Sequence, residues 1–332
     1  MKLIFNDEDL IGKIDFINNK YHNQIFINSN NSKMKVVGIF IPNKKYYVIK
    51  FIDNNFPENK NILSKISYVK SGVIKNPYQK SILNIGAFGD VSRFNLELLE
   101  PKQRKYLYDL YRDMIKRIYN PRNIYEINSY DKSLLDNRWF TYENFLNWVF
   151  NDKGNNFHYY YNLDKDLIKP GNKIYGPDTC IFLPDHLNKA ISINKTTLNL
   201  SQGVIKNKDG KRKYGAVIRS NFFNLKHDFN LTFSEAESFL KYAAAKHYIL
   251  KMYAQIYFNN NEINLKVKKL IENYEIIDRR NITTKITLTD LNNITIGKYN
   301  KSFKSYNDLY DFILDNDEEL INFKNKIIYK IH

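Results

Sequence analysis

The sequence predicts an α+β protein made of several small domains. A chain of 332 residues is long for a single core and indicates two or three domains. Short apolar segments that alternate as strands do, such as residues 46–52, are separated by turns rich in Asn, Gly and Pro. Longer segments place apolar residues at helical spacing, as in residues 102–119. Both patterns recur along the chain, so both strands and helices are expected.

Residues 1–100 are expected to form a small β-rich module. Residues 46–52 predict a strand that ends at the turn signal of residues 53–55, and residues 66–69 predict the start of another short strand. The Gly and Pro of residues 70–78 indicate a loop. Lys70 and Lys75 in this loop are candidates for contact with phosphate, and a module that serves only packing is the alternative.

Residues 101–196 are expected to form a core that is flanked by helices. Residues 102–119 and 142–150 have the apolar periodicity of amphipathic helices. Arg112 and Lys116 lie on the polar face of the first helix, where they either follow a phosphate backbone or form a solvated surface. Trp139 and Trp148 are predicted to be core anchors rather than platforms for stacked bases.

The most informative stretch of this core is residues 160–188. It predicts a strand over residues 162–168, a loop with turns at residues 169–172 and 176–178, and a second strand over residues 180–183. Pro184 suits the first turn of a helix that follows directly. A two-stranded ribbon followed by a helix can hold one metal ion between its first strand and its helix. A small structural hairpin with solvated acids is the alternative.

Residues 197–255 are expected to form a three-stranded sheet with one helix. Residues 203–205 and 214–218 predict a hairpin around the Asp-Gly turn of residues 208–210, and a third strand is expected near residues 222–225. Thr232 begins a T-x-x-E capping box and therefore predicts the start of the helix.

Residues 256–332 are predicted to be a C-terminal α/β extension. Residues 263–271 and 306–321 have helical patterns, and residues 285–288 and 294–296 have the pattern of short strands. No function follows from these patterns.

Charge is the strongest signal in the composition. Lys and Arg number 51 against 35 Asp and Glu, which gives a formal net charge of +16. A chain this basic is typical of proteins that bind nucleic acid. The alternative is compositional, because an AT-rich genome also enriches Lys, Asn, Ile and Tyr.

The sequence also predicts where the protein works. We expect no membrane span, because no run of about 18 apolar residues occurs, and we expect no signal peptide at the N-terminus. Cys180 is the single cysteine, which excludes an internal disulfide and a zinc site of several thiolates. A cytoplasmic, non-secreted protein is therefore expected.

The stretch of residues 160–188 resembles the HNH endonucleases, in the variant common in phage genomes. The matching residues are Leu163-Asp164-Lys165-Asp166, Gly171-Asn172-Lys173, Tyr175, Pro177, Thr179-Cys180, Phe182, Pro184 and Asn188. This resemblance implies a ββα-metal core that hydrolyses phosphodiester bonds in double-stranded DNA with one divalent ion, magnesium or manganese.

Two flanking segments extend the resemblance. The pattern Lys70, Gly72, Lys75-Asn76-Pro77-Tyr78, Ser81 and Gly86 is similar to the end of a β-rich module found in phage HNH proteins. Residues 203–245 resemble the Apetala-type DNA-binding domain, through Gly203-Val204, Lys213-Tyr214-Gly215-Ala216, Phe229, Thr232, Ser234-Glu235-Ala236, Tyr242 and Ala245. In such domains the sheet lies in the major groove of DNA.

The resemblance also implies roles for individual residues. Asp164 and Asn188 match the metal-ligand positions, and we expect them to face each other. Lys165 stands where the usual catalytic His stands, so Asp166 or a metal-bound water is the better general base. Thr179 occupies the position that often holds an Asn that orients the base. His186 is a further catalytic candidate. It lies two positions before Asn188 on the predicted helix, so the two side chains do not share a face.

Basic and amide side chains along the chain are candidates for contact with nucleic acid. They are Lys70, Lys75, Arg112, Lys116, Lys169, Asn172, Lys173, Lys206, Lys211, Arg212, Lys213 and Arg219.

Three functions remain open at this level. The first is a metal-dependent DNA endonuclease of the phage or homing type. The second is a DNA-binding or regulatory protein whose HNH-derived core has lost catalysis, because the first strand carries no His. The third is an RNA-binding or structural protein. We expect no small-molecule cofactor, and the sequence does not predict an oligomeric state.

Overall fold

The computed structural model describes residues 4–17, 20–53, 55–130, 132–191, 200–207, 211, 213–232, 234–276, 294–296, 299–301 and 303–331. The strands in this part of the chain are β1 Ile4–Asn6, β2 Ile14–Asp15, β3 Ile25–Ile27, β4 Lys33–Phe40, β5 Tyr47–Phe51, β6 Lys60–Ser64, β7 Leu134–Leu135, β8 Asn162–Asp164, β9 Ile174–Tyr175, β10 Ile181–Leu183, β11 Val204–Lys206, β12 Tyr214–Ser220, β13 Leu225–Asp228, β14 Ile294–Ile296 and β15 Tyr299–Lys301. The α-helices are α1 Ile66–Lys70, α2 Pro101–Tyr119, α3 Ile124–Tyr130, α4 Tyr142–Asn151, α5 Asp185–Ile191, α6 Glu235–Asn259, α7 Leu265–Glu272, α8 Tyr306–Asn316 and α9 Glu318–Ile331.

The fold is of the α+β class, as predicted, and the chain divides into two compact units. Unit 1 comprises Met1–Asn155 and Gly171–Cys180, and unit 2 comprises Asn156–Pro170 and Ile181–His332. The predicted domain boundaries near residues 100, 196 and 255 stay predictions. No helix within the described residues combines the length and the apolarity that crossing a membrane requires.

The N-terminal part of unit 1 is an antiparallel sheet with the strand order β1-β6-β5-β4-β2, and β3 pairs with the other end of β4. Both faces of this sheet are covered. Met34, Ile49 and Phe51 lie in one apolar cluster, and Val48 and Leu63 lie in a second one. The β-rich module predicted for this part of the chain is therefore present.

The rest of unit 1 is built around α2 and α4. Tyr111 of α2 packs against Phe145 of α4 with ring centroids 5.4 Å apart. Trp139 and Trp148 are 1 % and 6 % exposed, and their ring centroids lie 4.8 Å apart. These two residues are core anchors, as predicted. The two predicted helices begin and end within one residue of their expected bounds.

Unit 2 holds one large apolar core around α6. The sheet β11-β12-β13 covers one side of this helix, and α7, α8 and α9 complete the packing. Ala216 and Ile218 of β12 point into this core, as do Leu183 of β10 and Leu187 of α5. A three-stranded sheet and a helix occur where they were predicted within residues 197–255, and the helix continues to Asn259.

Two predicted strands differ from the structure. Residues 66–69 are the helix α1 and not a strand. Only Val69 of this segment is buried, and a run of four residues is too short for its period to separate the two structures. The first strand of the ribbon ends at Asp164 instead of residue 168, because Asp164 Oδ1 accepts the N–H groups of Asp166 (2.9 Å) and Leu167 (2.7 Å) and so turns the chain.

The third strand and two helix boundaries also differ. Residues 221–224 form a turn, and the third strand follows it as β13. The cap of α6 is Ser234, whose Oγ accepts the N–H of Glu237, and not Thr232. The predicted helix of residues 306–321 is two helices, because Asp317 Oδ1 accepts the N–H groups of Glu319 and Leu320 and starts α9. The predicted turn at residues 208–210 and strand at residues 285–288 lie outside the described residues.

Candidate functional site

The candidate catalytic site is the ribbon of β8 and β10 with the helix α5. The two strands pair antiparallel, with Ile181 opposite Asp164 and Leu183 opposite Asn162. Pro184 separates β10 from α5, and α5 packs against β8. Asn162 Nδ2 donates to Asp185 Oδ1 over 3.1 Å, which ties the start of the strand to the start of the helix. Strand, loop, strand and helix therefore follow in the order that the sequence predicts.

Asp164 lies at the end of β8, half-buried. Its Oδ1 is engaged by the two backbone N–H groups that end the strand. Burial raises the pKa of the Asp164 carboxyl, the carboxylate of Asp166 adds to this rise, and the N–H groups of Leu167 and Asp166 oppose it. A carboxyl with a raised pKa loses its charge at a higher pH than usual, so any cation that it binds would be released as the pH falls.

Lys165 and Asp166 follow the strand and form an ion pair. Lys165 is buried, and its Nζ donates to Asp166 Oδ2 over 2.8 Å. Because the Lys165 Nζ donates its hydrogen bond to this carboxylate, it is not placed to accept a proton from a water molecule. Asp166 is the half-buried acceptor of this ion pair, so it is a better candidate for the general base than Lys165.

The helix α5 carries the two other candidates of unit 2. Asn188 is half-buried, and its backbone N–H donates to the carbonyl of Pro184 at 3.0 Å within the first turn. His186 is exposed, and its ring lies edge-on to Phe222 at 5.9 Å. Asp164 and Asn188 thus lie on elements that pack together, whereas His186 faces an aromatic ring.

Asn172 and Thr179 lie in the loop between the two strands of the ribbon, which belongs to unit 1. The Thr179 hydroxyl donates to the carbonyl of Ile174 at 2.8 Å, and Asn172 bonds to the N–H and the carbonyl of the same residue. The backbone of β9 pairs with β7 in parallel. These two side chains therefore shape the loop, which is a structural role that the sequence did not predict.

Oxygen donors define what the ribbon-and-helix site could hold. Among the described residues, no group of three or more His, Cys, Asp and Glu side chains is placed to bind a metal ion. The carboxylate of Asp164 and the amide of Asn188 are hard ligands, which fit magnesium or manganese with water and phosphate in the remaining positions. They do not fit a zinc site, which prefers thiolate and imidazole.

The second candidate site is the face of the β11-β12-β13 sheet that points away from α6. Side chains alternate along a strand, so Ala216 and Ile218 face the core while Arg219 faces solvent. Arg219 lies directly opposite Lys226 of β13, and both are exposed. Lys226 also pairs with Asp228 over 2.9 Å. We call this surface the basic sheet face.

Like charges that face each other across two strands are unfavourable unless an anion lies near them. The carboxylate of Asp228 supplies such an anion to Lys226, and the exposed Arg219 adds a second positive charge to this surface. Lys226 is not among the predicted contacts with nucleic acid, because the third strand was expected to begin three residues earlier than β13 does. A strand over residues 225–228 would have placed Lys226 and Asp228 on the outer face by alternation.

Further cations lie where β11 and β12 meet the hairpin turn. Lys206 is opposite Tyr214 at the end of the ladder, and Lys211 and Lys213 follow. All three lysines are exposed. Arg212 lies outside the described residues. The hairpin thus adds positive charge at the end of the sheet where β11 and β12 are connected.

The other predicted contacts with nucleic acid are less concentrated. The Arg112 guanidinium is held by Asp109 and Asp113, each at 3.0 Å, so the polar face of α2 mixes both signs of charge. Lys70 donates to the Tyr21 hydroxyl at 2.9 Å. Lys116 is half-buried, and the remaining cations, Lys75, Lys169 and Lys173, are exposed.

Comparison of the chain with family models, with curated proteins and with solved structures found no match.

Proposed function

We propose that this protein binds double-stranded DNA through the basic sheet face. The observation that carries this proposal is the pair Arg219 and Lys226, exposed and opposite each other on a sheet whose other face is buried against α6. The net charge of +16 supplies the general attraction to a polyanion.

The dimensions of the sheet agree with this role. Three strands at a spacing of about 4.8 Å span roughly 10 Å between the outer strands. The major groove of B-DNA is about 12 Å wide and presents acceptors on guanine that Arg and Lys recognise. In this arrangement Arg219 and Lys226 reach base edges, and Lys206, Lys211 and Lys213 at the hairpin reach the phosphates.

The binding test is a titration of duplex DNA over a range of salt concentrations. The double variant Lys211→Ala and Lys213→Ala should weaken binding and lower the slope of log K against log salt by about 0.9 for each lost phosphate contact. Lys226→Ala should weaken binding in the same way or reduce the preference between sequences.

The control for this experiment is Lys105→Ala, an exposed cation on α2 that lies outside the basic sheet face. It should leave both affinity and slope unchanged. Equal affinity of all variants at every salt concentration would exclude the basic sheet face as the contact surface. Tighter binding to RNA than to duplex DNA would favour the RNA-binding alternative.

The second candidate function is cleavage of the bound DNA, as in the HNH endonucleases. It is supported by Asp164 at the end of β8 and Asn188 on the helix that packs against that strand. When bound there, magnesium or manganese would polarise the scissile phosphate and stabilise the leaving oxygen. Asp166 would accept the proton of the attacking water, and the buried Lys165 would hold Asp166 in place.

Plasmid nicking with magnesium or manganese tests the cleavage proposal. Asp164→Asn should abolish nicking while DNA binding stays intact or becomes tighter, because it removes a negative charge near phosphate. Asp315→Asn on α8 is a matched control and should nick like the wild type. If the wild type binds DNA but nicks with neither ion, the binding or regulatory alternative is correct.

A further inference from the structure

A cavity of about 380 Å³ lies beside the sheet of unit 2, on the side where α5 and α6 approach it. Its described lining residues include Gly203 and Val204, where β11 begins, and Val217 and Arg219 toward the end of β12. Its volume is near the lower end of the range of about 300–1,000 Å³ that is typical of sites for small organic ligands.

Three cations line this cavity, and none of its described lining residues is an acid. Lys189 comes from α5, Arg219 from β12 and Lys246 from α6. Lys246 is only 7 % exposed. Its Nζ lies 5.7 Å from the centre of the Tyr242 ring.

The other walls are apolar and aromatic. Tyr242, Ile249 and Tyr253 of α6 form one side. The Tyr253 hydroxyl is 2.7 Å from Ser220 Oγ, which fixes the ring. Burial raises the pKa of Tyr242, so its hydroxyl adds no negative charge beside the cations. Aromatic side chains next to a basic lining are the usual support for a base and its phosphate.

Lys189 is the most adaptable of the three cations. Its Nζ pairs with Asp185 over 2.5 Å, and its side chain is 71 % exposed. An exposed pair of this kind contributes little stability. The ammonium group can therefore turn from Asp185 toward an anion in the cavity at small cost.

We propose that this cavity binds the phosphate monoester of a nucleotide. The three cations balance a group that carries a charge of about −1.5 to −2 at neutral pH, and the tyrosine and isoleucine walls take the sugar and base. This site shares Arg219 with the basic sheet face, whereas Lys189 and Lys246 come from α5 and α6 and do not lie on that face. The same phosphate chemistry is available from a free nucleotide or from the 5′ end of a DNA strand.

The test is a calorimetric titration of the full chain with deoxythymidine 5′-monophosphate, with thymidine and inorganic phosphate as comparisons. We expect the monophosphate to bind, thymidine not to bind, and phosphate to compete. Lys246→Met and Lys189→Gln should each weaken binding about tenfold or more, the usual loss for a hydrogen bond to a charged group. Lys105→Gln on α2 is the matched control and should bind like the wild type.

Binding of the 5′ end of a DNA strand is tested with two single-stranded oligonucleotides. One carries a 5′-phosphate and the other a 5′-hydroxyl, and they are otherwise identical. A preference for the phosphorylated strand that Lys246→Met and Lys189→Gln both abolish would identify the strand end as the source of the phosphate. The proposal is wrong if thymidine binds as tightly as its monophosphate, or if neither variant changes the binding of either phosphorylated probe. Lys189 is an exposed residue, so its variant tests the site even if Lys246→Met fails to fold. Because no duplex is used, these results are independent of the proposed contact with duplex DNA.

Discussion

Glu143 is the residue that joins the N-terminal module to the helices of unit 1. It is 6 % exposed, and its Oε2 accepts from the Tyr78 hydroxyl and from the N–H of Asp90, both at 2.8 Å. Lys60 lies 3.5 Å from Asp90 and 3.9 Å from Glu143. The sequence left two roles for the segment of residues 70–78, packing and contact with DNA. Asn76 and Tyr78 are buried, which favours packing for these two residues.

Gly89 should be essential for this arrangement. It has a φ of +68°, and a Cβ atom added there would lie 2.6 Å from Glu143 Cβ and 2.6 Å from Glu143 Oε2. We expect Gly89→Ala to destabilise the protein by about 2–4 kcal/mol, through backbone strain and displacement of Glu143. Denaturant unfolding measures this loss.

Gly12→Ala is a matched control for Gly89→Ala. Gly12 has a φ of +67° but no atom within 4 Å of the added Cβ, so only the strain of about 1 kcal/mol should appear. Equal losses for the two variants would show that Glu143 does not require the small residue.

His247 predicts a dependence of stability on pH. The pKa of His247 is lowered to about 4, mainly by burial and also by the charge of Lys251, while the nearby Asp311 opposes both. Between pH 4 and the ordinary value of about 6.5 the unfolded chain binds a proton that the folded chain does not. The free energy of unfolding should therefore rise with pH across this window, by at most about 3 kcal/mol from this group.

Denaturant unfolding between pH 4 and pH 7 measures this contribution. We expect His247→Gln to have a flatter profile than the wild type over the same window. Identical slopes for the two proteins would show that His247 becomes protonated in the folded state near its ordinary pKa.

At the scale of the element, Ser234 should determine where α6 begins. Its Oγ accepts the N–H of Glu237 at 3.1 Å, while the Thr232 hydroxyl lies 2.6 Å from Ser238 Oγ. We expect Ser234→Ala to cost about 1 kcal/mol in unfolding free energy and Ser234→Asp to cost little, because Asp is an equally good cap. If both variants unfold like the wild type, the helix start does not depend on this cap.

The long amphipathic helices were predictable because their apolar periodicity runs over several turns. The helix α2 was predicted from Tyr106, Leu110, Met114 or Ile115, and Ile118 at helical spacing, and α4 was predicted from Phe145, Trp148 and Val149. Short elements were less predictable, since α1 and the two-residue strands carry too few residues to show a period. The capping box of α6 was displaced because Thr232 and Ser234 both begin an [ST]-x-x-E pattern, and only tertiary packing distinguishes them.

The candidate sites were also predictable to different degrees, because a sequence shows periodic patterns but not local hydrogen bonds or strand register. The sequence placed Asp164 and Asn188 on a strand and on a helix that do pack together. It also made Arg219 a candidate for contact with nucleic acid, one residue beyond the strand predicted over residues 214–218. It did not predict that the Asp164 side chain would end its strand, because this depends on a local hydrogen bond and not on a periodic pattern. Lys226 required the correct register of β13.

At the scale of the whole molecule, unit 1 should need residues 171–180 for its stability. Leu134 N–H donates to the carbonyl of Lys173 at 2.7 Å, and Asp136 N–H donates to the carbonyl of Tyr175 at 2.8 Å. We expect the fragment of residues 1–155 to be less stable than that of residues 1–180, by about 2 kcal/mol or more, because it lacks these bonds and the buried Tyr175. Thermal unfolding of the two fragments measures the difference, and equal midpoints would contradict the assignment of this loop to unit 1.

The same loop restricts how the gene for this chain can be divided. The chain enters unit 2 at Asn156, returns to unit 1 at Gly171 and enters unit 2 again at Ile181. No single crossover point in the coding sequence therefore separates the two units with both of them complete. A division after Asn155 leaves unit 1 without β9, and a division after Cys180 leaves unit 2 without β8. Recombination that shuffles modules one at a time would have to carry both units together, so the two should be inherited as one piece.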